Sequence, residues 1–203
     1  MLKVSNLTVA RGRLPVLQGL NFAVTPGAAL ILRGPNGVGK TTLLRTLAGL
    51  QAPVSGDIDL PDGQGAYASH ADGIKSALTV TENLQFWADV YGVELPEHVF
   101  GSFDLIDLRD RLAGTLSAGQ KRRLGLGRLA VINRTVLFLD EPTVSLDGFS
   151  VKLFTDFLRD RHLANGGIAV IATHIPLDLE APELDLAGFA VTKFDGGQDE
   201  VFL

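Results

Sequence analysis

The sequence predicts an α/β fold built on an open, largely parallel sheet, and three observations carry that reading. Ala28 to Leu32, Val136 to Leu139 and Ile168 to Ala172 are continuous apolar runs, the pattern of strands covered on both faces. Helical patterns lie between them, notably Thr41 to Leu50 and Gln120 to Asn133. A glycine-rich segment joins the first of these strands to the first of these helices. Strand and helix in alternation, with the strands buried, define the class.

The elements follow in chain order. Leu2 to Ala10 and Val16 to Val24 alternate as half-buried antiparallel strands across the turn-rich Arg11-Gly12-Arg13, and Thr25-Pro26-Gly27 makes a tight turn. In the middle, Thr79-Val80-Thr81-Glu82 is a capping box: the threonine oxygen accepts from one exposed amide, and Glu82 reaches back to another. Leu84, Trp87, Ala88 and Tyr91 then share one helical face, and Gly92 stops the helix. A shorter helix is expected after Pro96 and another over Asp104 to Leu112. Residues 75–115 therefore read as a helical insertion, and residues 1–74 and 116–203 as the core of a single 203-residue domain.

Composition narrows the class further. Hydrophobic residues make up 46% and charged residues 20%, with a mean hydropathy of +0.23. Yet the longest apolar run, Gly166 to Ala172, falls far short of the ~20 residues of a spanning helix. The N-terminal segment lacks the apolar stretch of a secretory signal. The absence of cysteine excludes disulfides, iron–sulfur clusters and thiol catalysis, and fits a reducing compartment. A net charge of −5 argues against general nucleic-acid binding.

Chemistry concentrates at three places. Gly34-Pro35-Asn36-Gly37-Val38-Gly39-Lys40-Thr41 fits the G-x-x-x-x-G-K-[ST] pattern between a buried strand and a helix. Its glycines let backbone N–H groups turn inward on phosphate oxygens, and the helix end adds its positive pole. Lys40 should reach the β- and γ-phosphates, Thr41 should ligate Mg2+, and Thr42 should lie toward the α-phosphate. These residues are expected to bind a nucleoside triphosphate. Second, the strand Val136 to Leu139 ends in Asp140-Glu141-Pro142: Asp140 should hold the Mg2+ shell, and Glu141 should act as the base that orients the attacking water. The strand Ile168 to Ala172 leads to His174, placed to contact the γ-phosphate or to hold Glu141 and the water. His70, His98 and His162 show no ligand-like spacing, so no structural metal is expected. Third, Leu116-Ser117-Ala118-Gly119-Gln120 forms a second capping box opening a long helix, where Ala118 and Gly119 allow close approach of an anion. The Lys121, Arg122 and Arg123 that follow read as a solvated basic face.

The phosphate loop, LSAGQ, the LFLDEP strand, Ser145-Leu146-Asp147 and His174 stand in the order and spacing of the ABC-type ATPases, and the resemblance spans nearly the whole chain. It implies a P-loop NTPase domain with a RecA-like core, an N-terminal antiparallel β-subdomain and an inserted helical subdomain. It further implies ATP and Mg2+ as ligands and a head-to-tail homodimer with two composite sites. There Ser117, Ala118, Gly119 and Gln120 would act on the partner's nucleotide, and Asp147 would bridge the sites. Two positions depart from the family. Arg11 stands where an aromatic often stacks on adenine, a role a guanidinium plane can also fill. His70 stands where a glutamine usually links Mg2+ and the water to the helical subdomain.

Ser69-His70-Ala71-Asp72-Gly73-Ile74-Lys75 and Leu78 to Trp87 resemble one subgroup, the ATP-binding subunits of the bacterial haem exporter used in cytochrome c maturation. That implies integral membrane partner subunits, a peripheral position on the cytoplasmic face of the inner membrane, and no nucleic-acid partner. The helical insertion, with Trp87 and Tyr91, would pass motion to those subunits. A soluble ABC ATPase working as an assembly or mechanical factor is the alternative. A P-loop nucleotide kinase is less favoured, since Asp140-Glu141 and LSAGQ do not belong to one, and a GTPase lacks its N-K-x-D motif.

Overall fold

The structure, a computed structural model, describes residues 1–60, 63–69, 73–144 and 146–191; His70 and Ser145 lie outside the described residues. Two strands, β1 (Leu2–Arg11) and β2 (Leu14–Val24), form the antiparallel pair read from the sequence. The buried run becomes β3 (Ala29–Arg33), followed by α1 (Lys40–Leu47), β4 (Ser55–Asp59) and β5 (Gly65–Ala68). Helices α2 (Val80–Tyr91), α3 (His98–Ser102) and α4 (Ala118–Val131) come next. The chain then runs through β6 (Val136–Asp140), α5 (Gly148–Phe157), β7 (Ile168–Ala172) and β8 (Glu183–Asp185).

Two sheets result. One is antiparallel, in the order β2-β1-β4, and the other is parallel throughout, in the order β5-β6-β7-β3-β8. Every residue of β6 and β7 is buried. Leu137, Leu139, Ala169 and Ile171 enter a core with α2 to α5, whereas Val136, Phe138, Ile168 and Val170 enter a second core with α1 and the antiparallel sheet. A strand with apolar cores on both faces needs an unbroken apolar sequence, which is why these runs were legible. Because both strands run parallel, their C-terminal ends, Asp140 and Ala172, finish side by side.

The middle of the chain departs from expectation in one place. Asp104 to Leu112 forms no helix beyond the single turn Ile106–Leu108. Asp104 takes a left-handed φ of 51°, and the carbonyls of Arg109 and Arg111 accept from Thr81 and Val80 in the first turn of α2. Those carbonyls serve the neighbouring helix instead of their own. α1 also ends three residues earlier than its pattern suggests, because Gly49 turns left-handed and Leu50 donates back to Arg45. β4 has no strong sequence signal. Its Gly56 passes so near β1 that a Cβ there would lie 2.4 Å from the Asn6 carbonyl oxygen. Only glycine fits that crossing.

Trp87 and Tyr91 are half-buried. Both pack against the helical core, with the Arg128 guanidinium 5.4 Å from the Trp87 ring and that of Arg134 4.9 Å from the Tyr91 ring.

Candidate active site

The phosphate loop owes its shape to positive φ values at Gly34, Gly37 and Gly39. At Gly39 a second constraint acts: an added Cβ would sit 3.0 to 3.2 Å from Leu17 and Val16 of β2, so side chains of the antiparallel sheet press directly on the loop. α1 then starts without a side-chain cap, whereas α2, α4 and α5 are capped by Thr79, Ser117 and Asp147. The first-turn amides of α1 therefore keep their donors for a ligand.

Lys40 is buried, and its ammonium donates to the Gly34 carbonyl at 2.8 Å. The same Nζ lies 3.0 Å from His174 Nε2, which is also 3.0 Å from Asn36 Oδ1 and 3.5 Å from Glu141 Oε1. With its proton on Nδ1 the imidazole accepts from Lys40; with the proton on Nε2 it donates to Asn36 and faces Glu141. One ring thus joins the loop to the acidic strand end. Glu141 holds its carboxylate there from a left-handed backbone (φ 49°), with its N–H donating to the last carbonyl of β7, Ala172, at 2.9 Å. Such a conformation costs a non-glycine residue about 1–3 kcal/mol and persists only where neighbouring contacts hold it.

Arg11, Asn36, Gly37, Gly39, Lys40, Thr41, Asp140 and Glu141 line one cleft of about 130 Å3. The structure thus gathers the loop, both carboxylates, His174 and Arg11 into a single site, while Thr42 is buried beneath the loop. Larger hollows, of about 360 and 580 Å3, lie elsewhere and contain none of the predicted residues. The Ser117 capping box is present, with Gln120 N–H donating to Ser117 Oγ at 3.2 Å and Ser117 N–H to Gln120 Oε1 at 2.9 Å. Ser117 and Ala118 are exposed, and an added Cβ at Gly119 would meet only open space. Asp147 caps α5 through Ser150 N–H at 2.7 Å, and that bond holds its carboxyl below the usual range.

The basic triplet is not a solvated face. Arg122 is 7% exposed and donates to the Pro142 carbonyl at 2.7 Å. Arg123 donates to the Phe103 carbonyl and pairs with Asp104 at 3.0 Å, and Lys121 donates to the Gly114 carbonyl. Carbonyls left over by irregular turns take up these charges, a demand that helix periodicity cannot reveal.

Sequence reasoning also missed Tyr67. It lies on β5 opposite Phe138, and its hydroxyl donates to Asp140 Oδ2 at 3.1 Å. Burial, then the Asp140 charge, push its ionisation up to about 12, so it remains a donor well above neutral pH. A phenol whose ionisation is raised on folding adds stability below its ordinary value near 10, and that contribution disappears as the pH climbs toward 12. Tyr67→Phe should remove a tyrosine ionisation near pH 12 from an absorbance titration and weaken Mg2+-dependent ATP affinity by roughly 1 kcal/mol, about five-fold. Unchanged Mg2+ dependence in calorimetry would show that the bond leaves Asp140's orientation unaffected.

A glycine-rich anion cradle, an uncapped helix end and two carboxylates at the ends of parallel strands define a P-loop nucleoside-triphosphatase. Residues 17–144 match the family described as ABC transporter. The chain is 58% identical over 188 residues to the cytochrome c biogenesis ATP-binding export protein CcmA of Ruegeria pomeroyi, covering 93% of this chain and 92% of that one. It is 54% identical to the protein of the same name from Rhodobacter capsulatus, with 100% and 99% covered. A solved structure of an ABC transporter ATP-binding protein from Pyrococcus furiosus superposes with a TM-score of 0.82 at 26% identity, over 93% of this chain and 98% of that one. The chain belongs to the ABC transporter ATP-binding family, within its CcmA group. It is accordingly an ATP-binding ATPase subunit of a transporter, and none of its described helices is long and apolar enough to cross a membrane.

Proposed function

We propose that this chain powers export in cytochrome c biogenesis, as the names of its relatives state for them, by binding and hydrolysing ATP in two copies paired head to tail. One observation carries the proposal. The cleft that gathers Lys40, Asp140 and Glu141 holds only about 130 Å3, too little to enclose a nucleotide, against the ~300–1,000 Å3 of pockets that enclose a small molecule. A nucleotide seated there leaves its outer side uncovered. The exposed N-terminus of α4 supplies a matching cover when it comes from a second copy: Ser117, Ala118 and Gly119 approach the γ-phosphate, and Asp147 lies at the seam.

The roles within each half follow from position. Backbone amides of the loop and Lys40 bind the β- and γ-phosphates, with Lys40 exchanging the Gly34 carbonyl for phosphate oxygen. Arg11, at the mouth of the cleft, offers its guanidinium face to the base. Thr41 and Asp140 present hard oxygen donors in one cleft, a donor set that suits Mg2+, and they would hold it where it offsets charge on the phosphates. Glu141 accepts a proton from the attacking water, and His174 keeps that carboxylate and the γ-phosphate in register. His70 precedes the helical insertion of residues 75–115 in sequence, and we assign it the place of the family's glutamine, linking Mg2+ and the water to that insertion.

ATP bridging the two copies closes the dimer, and hydrolysis removes the bridge. Driving such a change from 1:99 to 99:1 takes about 5.5 kcal/mol of differential binding, which two triphosphates shared across an interface can supply. The helical insertion carries this motion to integral membrane subunits on the cytoplasmic face of the inner membrane, with haem or a haem-loaded carrier as the cargo of the assembled exporter.

Affinity purification from membranes with ATP trapped by Glu141→Gln should recover two copies together with integral membrane subunits. Ser117→Arg should keep nucleotide binding by each chain yet lower hydrolysis in the complex at least ~10-fold, through a charge and bulk that the α4 terminus cannot seat against the partner's nucleotide. Recovery of the trapped dimer without any membrane protein would favour a soluble assembly factor. Full hydrolysis in Ser117→Arg would exclude the composite site.

A further inference from the structure

The arginine at the second turn of α4 has no part in the roles above, yet it is among the most buried charged side chains of the molecule. Arg122 reaches across to the loop after β6 and donates to the Pro142 carbonyl at 2.7 Å. Its bond therefore lands one residue beyond Glu141. Glu141 is the residue of this loop in the left-handed backbone region, and it is secured on its N-terminal side by its own N–H on the Ala172 carbonyl. On the C-terminal side the Glu141 carbonyl accepts from Val144 N–H at 3.3 Å, and Pro142, which has no N–H to contribute, offers its carbonyl as a second main-chain hold. The next residue, Thr143, is fully buried with its hydroxyl 3.2 Å from that of Thr173, the neighbour of His174.

We propose that Arg122 is a positioning residue for hydrolysis: by gripping the Pro142 carbonyl it locks Glu141 in its strained backbone and so aims the carboxylate at the attacking water. The proposal rests on the reading of Glu141 as the base. A strained conformation relaxes when a contact that enforces it is removed. Rotation about the Glu141 backbone would swing its carboxylate away from His174 Nε2, now 3.5 Å distant. Nucleotide binding depends on the phosphate loop and α1 and is left alone. The same helix begins at Ser117, so the element that would touch the partner's nucleotide also fixes the base of its own site.

The test uses the full chain assembled with its membrane partners and compares Arg122→Met, which keeps the aliphatic stem, with Arg122→Lys, which keeps one donor. Arg122→Met should lower kcat for ATP by about 10²-fold, the usual cost of a reacting group displaced by ~1 Å, while KM stays within about two-fold. Arg122→Lys should recover most of that loss. In a Glu141→Gln background, Arg122→Met should cause no further drop, because the group it positions is already disabled. A lowered melting temperature with kcat unchanged would make Arg122 a purely structural residue and overturn the proposal. So would equal losses in the presence and absence of the Glu141 carboxylate. If Glu141→Gln alone keeps near-normal turnover, it is the assignment of the base that fails, and the arginine series then shows whether the loop has any catalytic role.

Discussion

Glu141→Gln is expected to leave ATP binding intact while turnover falls by about 10² to 10⁴-fold, the span general-base catalysis contributes. The amide has the size of the carboxylate and can keep its contact with His174, but it cannot take a proton from water. Backbone strain at this position is unchanged, since glutamine suffers the same left-handed φ of 49° as glutamate. The γ-phosphate then persists, and with it the bridge between the two copies. With Mg2+ and ATP the variant should run as a dimer in light scattering, while parent protein returns to its unliganded state as ATP is spent. Near-normal hydrolysis in the assembled complex would remove Glu141 as the base.

Lys40→Ala carries the other large effect. The ammonium sits buried against the loop, 2.8 Å from the Gly34 carbonyl and 3.0 Å from His174, so its charge is already largely desolvated before a ligand arrives. Swapping a carbonyl for a phosphate oxygen therefore gains a charge-assisted bond with little further desolvation. Loss of that bond should cost roughly 2–4 kcal/mol of triphosphate affinity, about 10²-fold, with a smaller loss for the diphosphate. Folding should suffer less, because alanine favours the helix that begins here. Calorimetry with ATP and ADP on folded protein provides the measurement, and equal affinity in parent and variant would contradict the cradle.

What the sequence revealed, it revealed through local rules. Doubly covered strands need unbroken apolar runs, so β3, β6 and β7 could be read directly, and with them the ends that carry the phosphate loop, Asp140 and His174. Capping boxes fix a helix start within four residues, which made Thr79 and Ser117 readable. The parts that escaped depend on residues far apart in the chain. Tyr67 meets Asp140 only because β5 pairs with β6, 73 residues away. Arg122 is concealed in the opposite sense: three basic residues in a row on a helix look solvated until the turns that need their donors are placed around them. The expected helix over Asp104 to Leu112 failed for a related reason, its carbonyls being claimed by α2.

The bare start of α1 has a consequence for the life of the chain in the cell. Every other helix of eight or more residues among those described closes its first turn with its own side chain, and this one starts bare. With the proposed phosphate seated there, nucleotide is a structural component as well as a fuel. At a hundred times its dissociation constant a ligand that binds only the folded state adds about 2.7 kcal/mol of stability, a large share of what holds a small domain together. A subunit starved of ATP would be both idle and less durable, so the energy status of the cell would set how long unassembled copies survive proteolysis.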